Sequence, residues 1–166
     1  MSNLQCQQLL AELKHEAATT KKMLALVPLD KSDWKPHAKS MPLGRLASHV
    51  AELSSWISPT LMYDTLDFAV NKYVPFVPSS TEDLLAFHDK NVADAEQGLN
   101  NFSDDRLNEM WTMRNGEQVY FTMPKGVVVR SFCFNHLVHH RAQLGVYLRM
   151  LDIALPGSYG PTADEG

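Results

Sequence analysis

Apolar residues recur at three- and four-residue steps through four separate stretches of this chain, a pattern that only helices burying one face against each other satisfy. The first stretch runs from about Leu4 to Val27, with Leu9, Leu10, Leu13, Ala17, Thr20, Leu24 and Val27 on one stripe and Pro28 as its stop. In the second, Ser40 suits an N-cap and Pro42 the first turn, where a missing N–H costs nothing. Its stripe, Leu43, Leu46, Ala47, Val50, Leu53, Ser54, Ile57 and Leu61, continues to about Tyr63, with Pro59 expected to kink the last part. The third opens on a capping-box pattern, Ser79 with Glu82 or Ser80 with Asp83, and stops near Asn100. The fourth, Val127 to Leu151, is apolar on nearly every side, as a helix surrounded by others should be.

The connections carry their own signals. NKYVPFVPSS, with two prolines, predicts an extended crossover. In WTMRNGEQVYF, Asn115-Gly116 predicts a two-residue type I′ hairpin that sets Trp111 opposite Tyr120. The tail DIALPGSYGPTADEG should lie extended over the surface. Together these elements predict an all-α fold, a four-helix bundle with a short β-hairpin between helices three and four, in a single domain over residues 1–166.

With 45% apolar and 20% charged residues, such a chain can close a core without disulfide or metal staples. A net charge of −4 with scattered Lys and Arg argues against nucleic acid as a partner. The start, MSNLQCQQLLAELKHE, lacks a basic n-region and an unbroken apolar core, and no segment is long and apolar enough for a membrane span. Cys6 and Cys133 have no metal or redox spacing, so a reducing cytoplasm is the expected setting.

His136 and His140 stand four apart on one helix and therefore project from one face, a turn from each other, close enough to grip a single ion. His49, beside the apolar stripe of the second helix, is the best-placed third ligand. Three imidazoles with a fourth position open suit zinc, nickel or related divalent metals. His139 points away from this face, and His15, His37 and His88 have no partner at ligand spacing. Leu137 and Val138 occupy the gap where a zinc protease carries its glutamate base. Glu52, three residues after His49, and Gln143, seven after His136, are candidates to orient ligands or line a pocket. Trp34, Trp56 and Trp111 could line that pocket or pack in the core, and no nucleophile motif occurs anywhere.

FNHLVHHRAQLGVYLRMLDIALPGSYGPTADE resembles the end of DinB-like proteins of the DinB/YfiT superfamily. LGRLASHVAEL resembles that family's second-helix motif, and WKPHAKSM the segment leading into it. The matches span almost the whole chain in the right order. Ala142 departs from the glycine of many relatives, and the hairpin elaborates a connection of variable length. The resemblance implies an up-down-down-up bundle, a His₃ metal site made by His49, His136 and His140, and a homodimer formed through helix faces. Characterised relatives include mycothiol-dependent isomerases and bacillithiol transferases. The leading expectation is accordingly a metal-dependent transferase or isomerase that acts on a small molecule with a low-molecular-weight thiol. The alternatives are a metal-dependent hydrolase with Glu52 as its base, and a non-catalytic metal-binding stress-response module.

Overall fold

The computed structural model describes residues 3–165. The outermost residues of the expected 1–166 domain lie outside the described residues. Each periodic stretch forms helix, and every stripe residue named for the first two is buried. Helix α1 spans Leu4–Leu24. Its N-terminus is closed from far along the chain, where the Asp104 carboxylate accepts the N–H groups of Gln5 and Cys6. The last three residues of the expected helix unwind into turns, because Pro28 donates no N–H and keeps Val27 out of helical geometry.

Helix α2 spans Leu43–Glu52 with Pro42, not Ser40, at its cap position. The chain then tightens into a 3₁₀ turn, Leu53–Trp56, before α3, Ile57–Met62. Pro59 gives the reason: it offers no N–H to the carbonyl four residues back, so the preceding turn closes on shorter bonds. Helix α4 spans Thr81–Asn100 and uses the second of the two predicted caps, Ser80 Oγ accepting the Asp83 N–H at 3.1 Å. The final helix is continuous but not uniform. It runs as α5, Lys125–Val128, a π-helical segment, Val129–Phe134, and α6, Asn135–Met150.

The all-α expectation is overturned by a three-stranded mixed sheet. Strand β1, Thr65–Asp67, comes from the connection after α3 and pairs parallel with β2, Met110–Asn115, which pairs antiparallel with β3, Gln118–Pro124. A bare hairpin leaves an open edge and is marginal by itself, and β1 closes one edge. Asp67 fastens it there, accepting the Gly116 and Ala69 N–H groups through Oδ1, each at 2.9 Å, with Arg114 Nε 3.4 Å from Oδ2.

The hairpin turn is also shifted by one residue from the predicted Asn115-Gly116. Asn115 pairs with Gln118, leaving Gly116 and Glu117 at the tip, and only Gly116 has positive φ, +59°. That is the pattern of a type II′ turn, since type I′ needs positive φ at both positions. Trp111 lies opposite Met123, and Tyr120 is skipped by a register shift between Met113 and Arg114.

α4 packs against α1, α2 and α3, and α2 also packs against α6. Cys6, Leu13, Ile57, Leu99 and Phe134 fill one end of the core; Leu24, Leu46, Leu53, Leu84 and Leu144 fill the other. Trp111, Met113 and Val128 form a third cluster under the sheet. Each fully buried leucine contributes about 2 kcal/mol, so these clusters outweigh the exposed ion pairs, whose typical worth is about 0.5 kcal/mol. Among the described residues no helix is long and apolar enough to cross a membrane.

Candidate metal centre

The packing of α2 on α6 brings three histidines together. His49 sits in the last turn of α2, and His136 and His140 stand a turn from each other on α6. One ring nitrogen from each lies within 4.8 Å of the other two. His49 Nε2 is 3.4 Å from His136 Nε2. Two nitrogens bound to one tetrahedral zinc at about 2.05 Å lie about 3.3 Å apart, so this pair already stands at ligand separation.

The far sides of the rings decide which nitrogen faces inward. His49 Nδ1 lies 2.5 Å from Glu52 Oε1, and His140 Nδ1 lies 2.7 Å from Gln143 Oε1. Both oxygens accept, so each Nδ1 carries a proton and Nε2 is the nitrogen left for the trio. His136 Nδ1 is buried and has no hydrogen-bond partner of ordinary geometry among the described residues, while the Phe132 backbone acts weakly to raise the ring's pKa. Burial, reinforced by His140 and His49, pushes the His136 pKa down to about 4. Burial likewise lowers that of His140. Both rings are neutral near pH 7, the form that binds metal.

Glu52 is held as a carboxylate in spite of its surroundings. Burial would raise its pKa, but hydrogen bonds from His49 and Tyr73 and the charge of Arg45 bring it below the ordinary glutamate value. Tyr73 Oη lies 2.6 and 2.8 Å from the two carboxylate oxygens, and Arg45 Nη2 lies 2.5 Å from Tyr73 Oη and 3.3 Å from Glu52 Oε1. Burial, and then the Glu52 anion, push the Tyr73 hydroxyl up to about 12, so it remains a donor.

All three predicted ligands and both predicted orienting residues therefore meet at one place. Arg45 and Tyr73 escaped the sequence reading. Arg45 could have been found, because it precedes His49 by one helical turn on the same face. Tyr73 lies in the proline-broken crossover, where no periodicity assigns a direction.

The other candidates fall elsewhere. His139 is exposed and outside the trio, although its ring lies 4.8 Å from that of His140. His15 stacks on Tyr159, and His37 Nδ1 accepts the Lys39 N–H. His88 is buried in α4 beside Asp89. Burial raises both thiols, Cys6 and Cys133, to about 12, which leaves neither as a nucleophile at neutral pH. A cavity of about 610 Å³ opens beside Glu52, walled by Trp56, Phe68, Tyr73, Phe87 and Trp111. Trp34 is not part of it and packs edge-on to Tyr147 instead.

A model of the DinB family matches residues 1–165. The chain belongs to the DinB family. This DinB-family chain is 26% identical over 154 residues to the uncharacterised protein YrdA of Bacillus subtilis strain 168, covering 90% of this chain and 85% of that one. Its fold is similar to that of a DinB-like protein, YjoA, of Bacillus subtilis, with a TM-score of 0.70 at 15% identity, covering 91% of this chain and 96% of that one. A DinB-like protein of Bacillus cereus ATCC 10987 gives a TM-score of 0.69 at 23% identity, covering 92% and 97%. At these identities the two structures establish the shared DinB fold, and the histidine trio identifies a group that could hold a metal ion.

Proposed function

We propose that His49, His136 and His140 bind one divalent metal ion through Nε2, with zinc or nickel favoured by the all-imidazole donor set. The observation that carries this reading is the convergence of three imidazoles, one nitrogen of each within 4.8 Å of the other two, while acceptors hold two of them from behind. Built on this centre, the protein is a metal-dependent transferase or isomerase that acts on a small molecule with a low-molecular-weight thiol, as the family resemblance implies. An ion held by three ligands would supply Lewis acidity and lower the pKa of a coordinating thiol.

The chain's own residues then have distinct tasks. Glu52 and Gln143 fix the ring orientations of His49 and His140, and Tyr73 and Arg45 hold Glu52 in place. This disfavours a hydrolase with Glu52 as its base, because that carboxylate already accepts from three side chains and its pKa is lowered. Both cysteines are free and buried, which suits a reducing cytoplasm. Exposed Val146 and Met150 on α6 offer apolar surface for the homodimer that the family leads us to propose, and sedimentation equilibrium tests it.

The direct test compares the metal content of tag-free protein with that of His49→Ala, His136→Ala, His140→Ala and the control His139→Ala. About one ion per chain, lost in the first three and kept in the fourth, supports the centre. Protein that stays empty after supply of zinc, nickel, iron and manganese overturns it. Glutathione added to the cobalt-loaded protein then tests the thiol: a sulfur-to-metal charge-transfer band supports it, and an unchanged spectrum counts against thiol chemistry while leaving the metal site intact.

A further inference from the structure

Strand β1 and helix α4 are joined by an extended segment, residues 68–80, that meets the metal centre through one side chain. From Lys72 to Pro78 it makes no hydrogen bond to another main chain among the described residues. Val70, Val74 and Val77 are 78%, 82% and 82% exposed, so little of it packs on the core. Segments with few buried contacts and unpaired backbone are the ones that open locally.

Two side chains fasten it. The Tyr73 hydroxyl donates to the Glu52 carboxylate, 2.6 and 2.8 Å from its oxygens, and accepts from Arg45 Nη2 at 2.5 Å. Three residues on, Phe76 stacks on Phe87 of α4 with ring centroids 4.1 Å apart. Held this way, Tyr73 and its neighbours Asn71, Lys72 and Val74 form one side of the cavity beside Glu52. Thr60 of α3 and Asn91 of α4 belong to its other sides. The acceptor that latches the segment is also the one that orients a ligand, since Glu52 Oε1 lies 2.5 Å from His49 Nδ1 and 2.6 Å from Tyr73 Oη.

We infer that residues 68–80 are a strap whose closure over the cavity is coupled to metal occupancy through Glu52, so that a filled centre latches the strap and an empty one loosens it. The inference rests on the metal reading above. Its basis is order. A His49 ring held through Nε2 fixes the carboxylate bonded to its Nδ1, and Tyr73 then closes on an acceptor already in place, losing less conformational freedom. Linkage makes the effect reciprocal: whatever opens the strap weakens metal binding, by up to the same factor.

Trypsin reads the strap directly, because Lys72 is exposed within it and the Lys72–Tyr73 bond must leave the surface to enter the protease. Lys14 lies within α1 and is cut only when that helix opens, so the ratio of the two cleavage rates, followed by mass spectrometry of the full chain, isolates the strap. One equivalent of zinc, or of nickel where zinc is not retained, should lower that ratio about fivefold, the low end of typical couplings. Tyr73→Phe, which removes the latch hydroxyl, should raise the ratio and make it independent of the ion. Phe76→Ala separates coupling from a local effect of Tyr73 on Glu52, since the Phe76 ring meets Phe87 and none of the histidines among the described residues. It should raise the ratio, keep the response to the ion, and weaken metal binding by up to about fivefold in chelator competition. A loaded parent cut as fast as the empty one, or a faster-cut Phe76→Ala that binds the ion as the parent does, overturns the coupling while the metal centre stands. A parent that retains neither ion overturns it for a different reason, visible as an empty centre in the same samples.

Discussion

Glu52 is the residue on which the two catalytic readings make opposite predictions. As an orienting group it fixes the His49 tautomer, and Glu52→Gln should weaken metal binding about 10–100-fold, as losses behind a ligand typically do. Competition against a chromophoric chelator measures this directly. As a general base it would instead leave affinity intact and remove only a hydrolytic rate. His88 makes a second prediction, away from the site. It is 2% exposed, its Nε2 has no partner among the described residues, and burial lowers its pKa in spite of Asp89 at 3.3 Å, with Lys21 adding to the depression. A depressed histidine is neutral in the fold and charges more readily in the unfolded chain, so its contribution is fully present above the unfolded pKa, about 6.5, and is lost as pH falls below it. Urea midpoints should drop between pH 7.5 and 5.5, and His88→Gln should show a smaller drop; equal drops would refute the assignment. His49 and Glu52 were legible at this scale because a helix turns spacing into direction. The burial of His88 was not legible, since with no partner at ligand spacing nothing in the sequence separates a solvated side chain from a buried one.

Elements with a period were legible and elements without one were not. The stripes of α1 and α2 appeared directly, since Leu13, Leu24, Leu46 and Leu53 repeat at helical steps and all are buried. Strand β1 is three residues, Thr65–Asp67, too short to show alternation, and its pairing is decided by Asp67 reaching Gly116 across the sheet. The π-helical segment Val129–Phe134 carries no residue code either. It inserts its extra residue before His136 and leaves the spacing to His140 in regular α-helix, so the metal pair survived a local geometry that sequence could not show. The hairpin tip tests how firmly the sheet is specified. Gly116 has φ +59°, and a Cβ there would meet only the Ala69 methyl, at 3.9 Å. Space is therefore not the issue, and Gly116→Ala should cost about 1 kcal/mol from backbone conformation alone. Gly116→Asn should recover part of it, because Asn tolerates positive φ better. Chemical denaturation reads both, and an Ala variant as stable as the parent would show that the turn changes type at no cost.

Across the whole molecule, the tail runs over the surface without helix or strand, as expected, and Tyr159 within it is tied to α1 and α6. Arg141, 2% exposed and next to His140, pairs with Glu16 of α1 at 2.6 Å and donates to Tyr159 in the tail at 2.8 Å, while the Tyr159 hydroxyl lies 2.9 and 3.0 Å from the Glu16 carboxylate oxygens. No local pattern announces such a triad, since its members are 125 and 18 residues apart along the chain. Physical chemistry does say what it does. A buried pair contributes little net stability over apolar replacements, but removing one partner strands the other, at about 3–5 kcal/mol. Arg141→Met should therefore lose about 3 kcal/mol or more, a large share of the roughly 5–15 kcal/mol that holds a domain folded. Glu16→Leu combined with Arg141→Met should regain most of that loss, and Tyr159→Phe, which removes a single hydroxyl, should cost only about 1 kcal/mol. Urea unfolding of the four proteins decides the matter. If Arg141→Met were no worse than Tyr159→Phe and the double variant no better than either, Glu16 would be finding water when Arg141 is removed, and the tail would be packed on α1 and α6 by Leu155 and its apolar neighbours and not by charge.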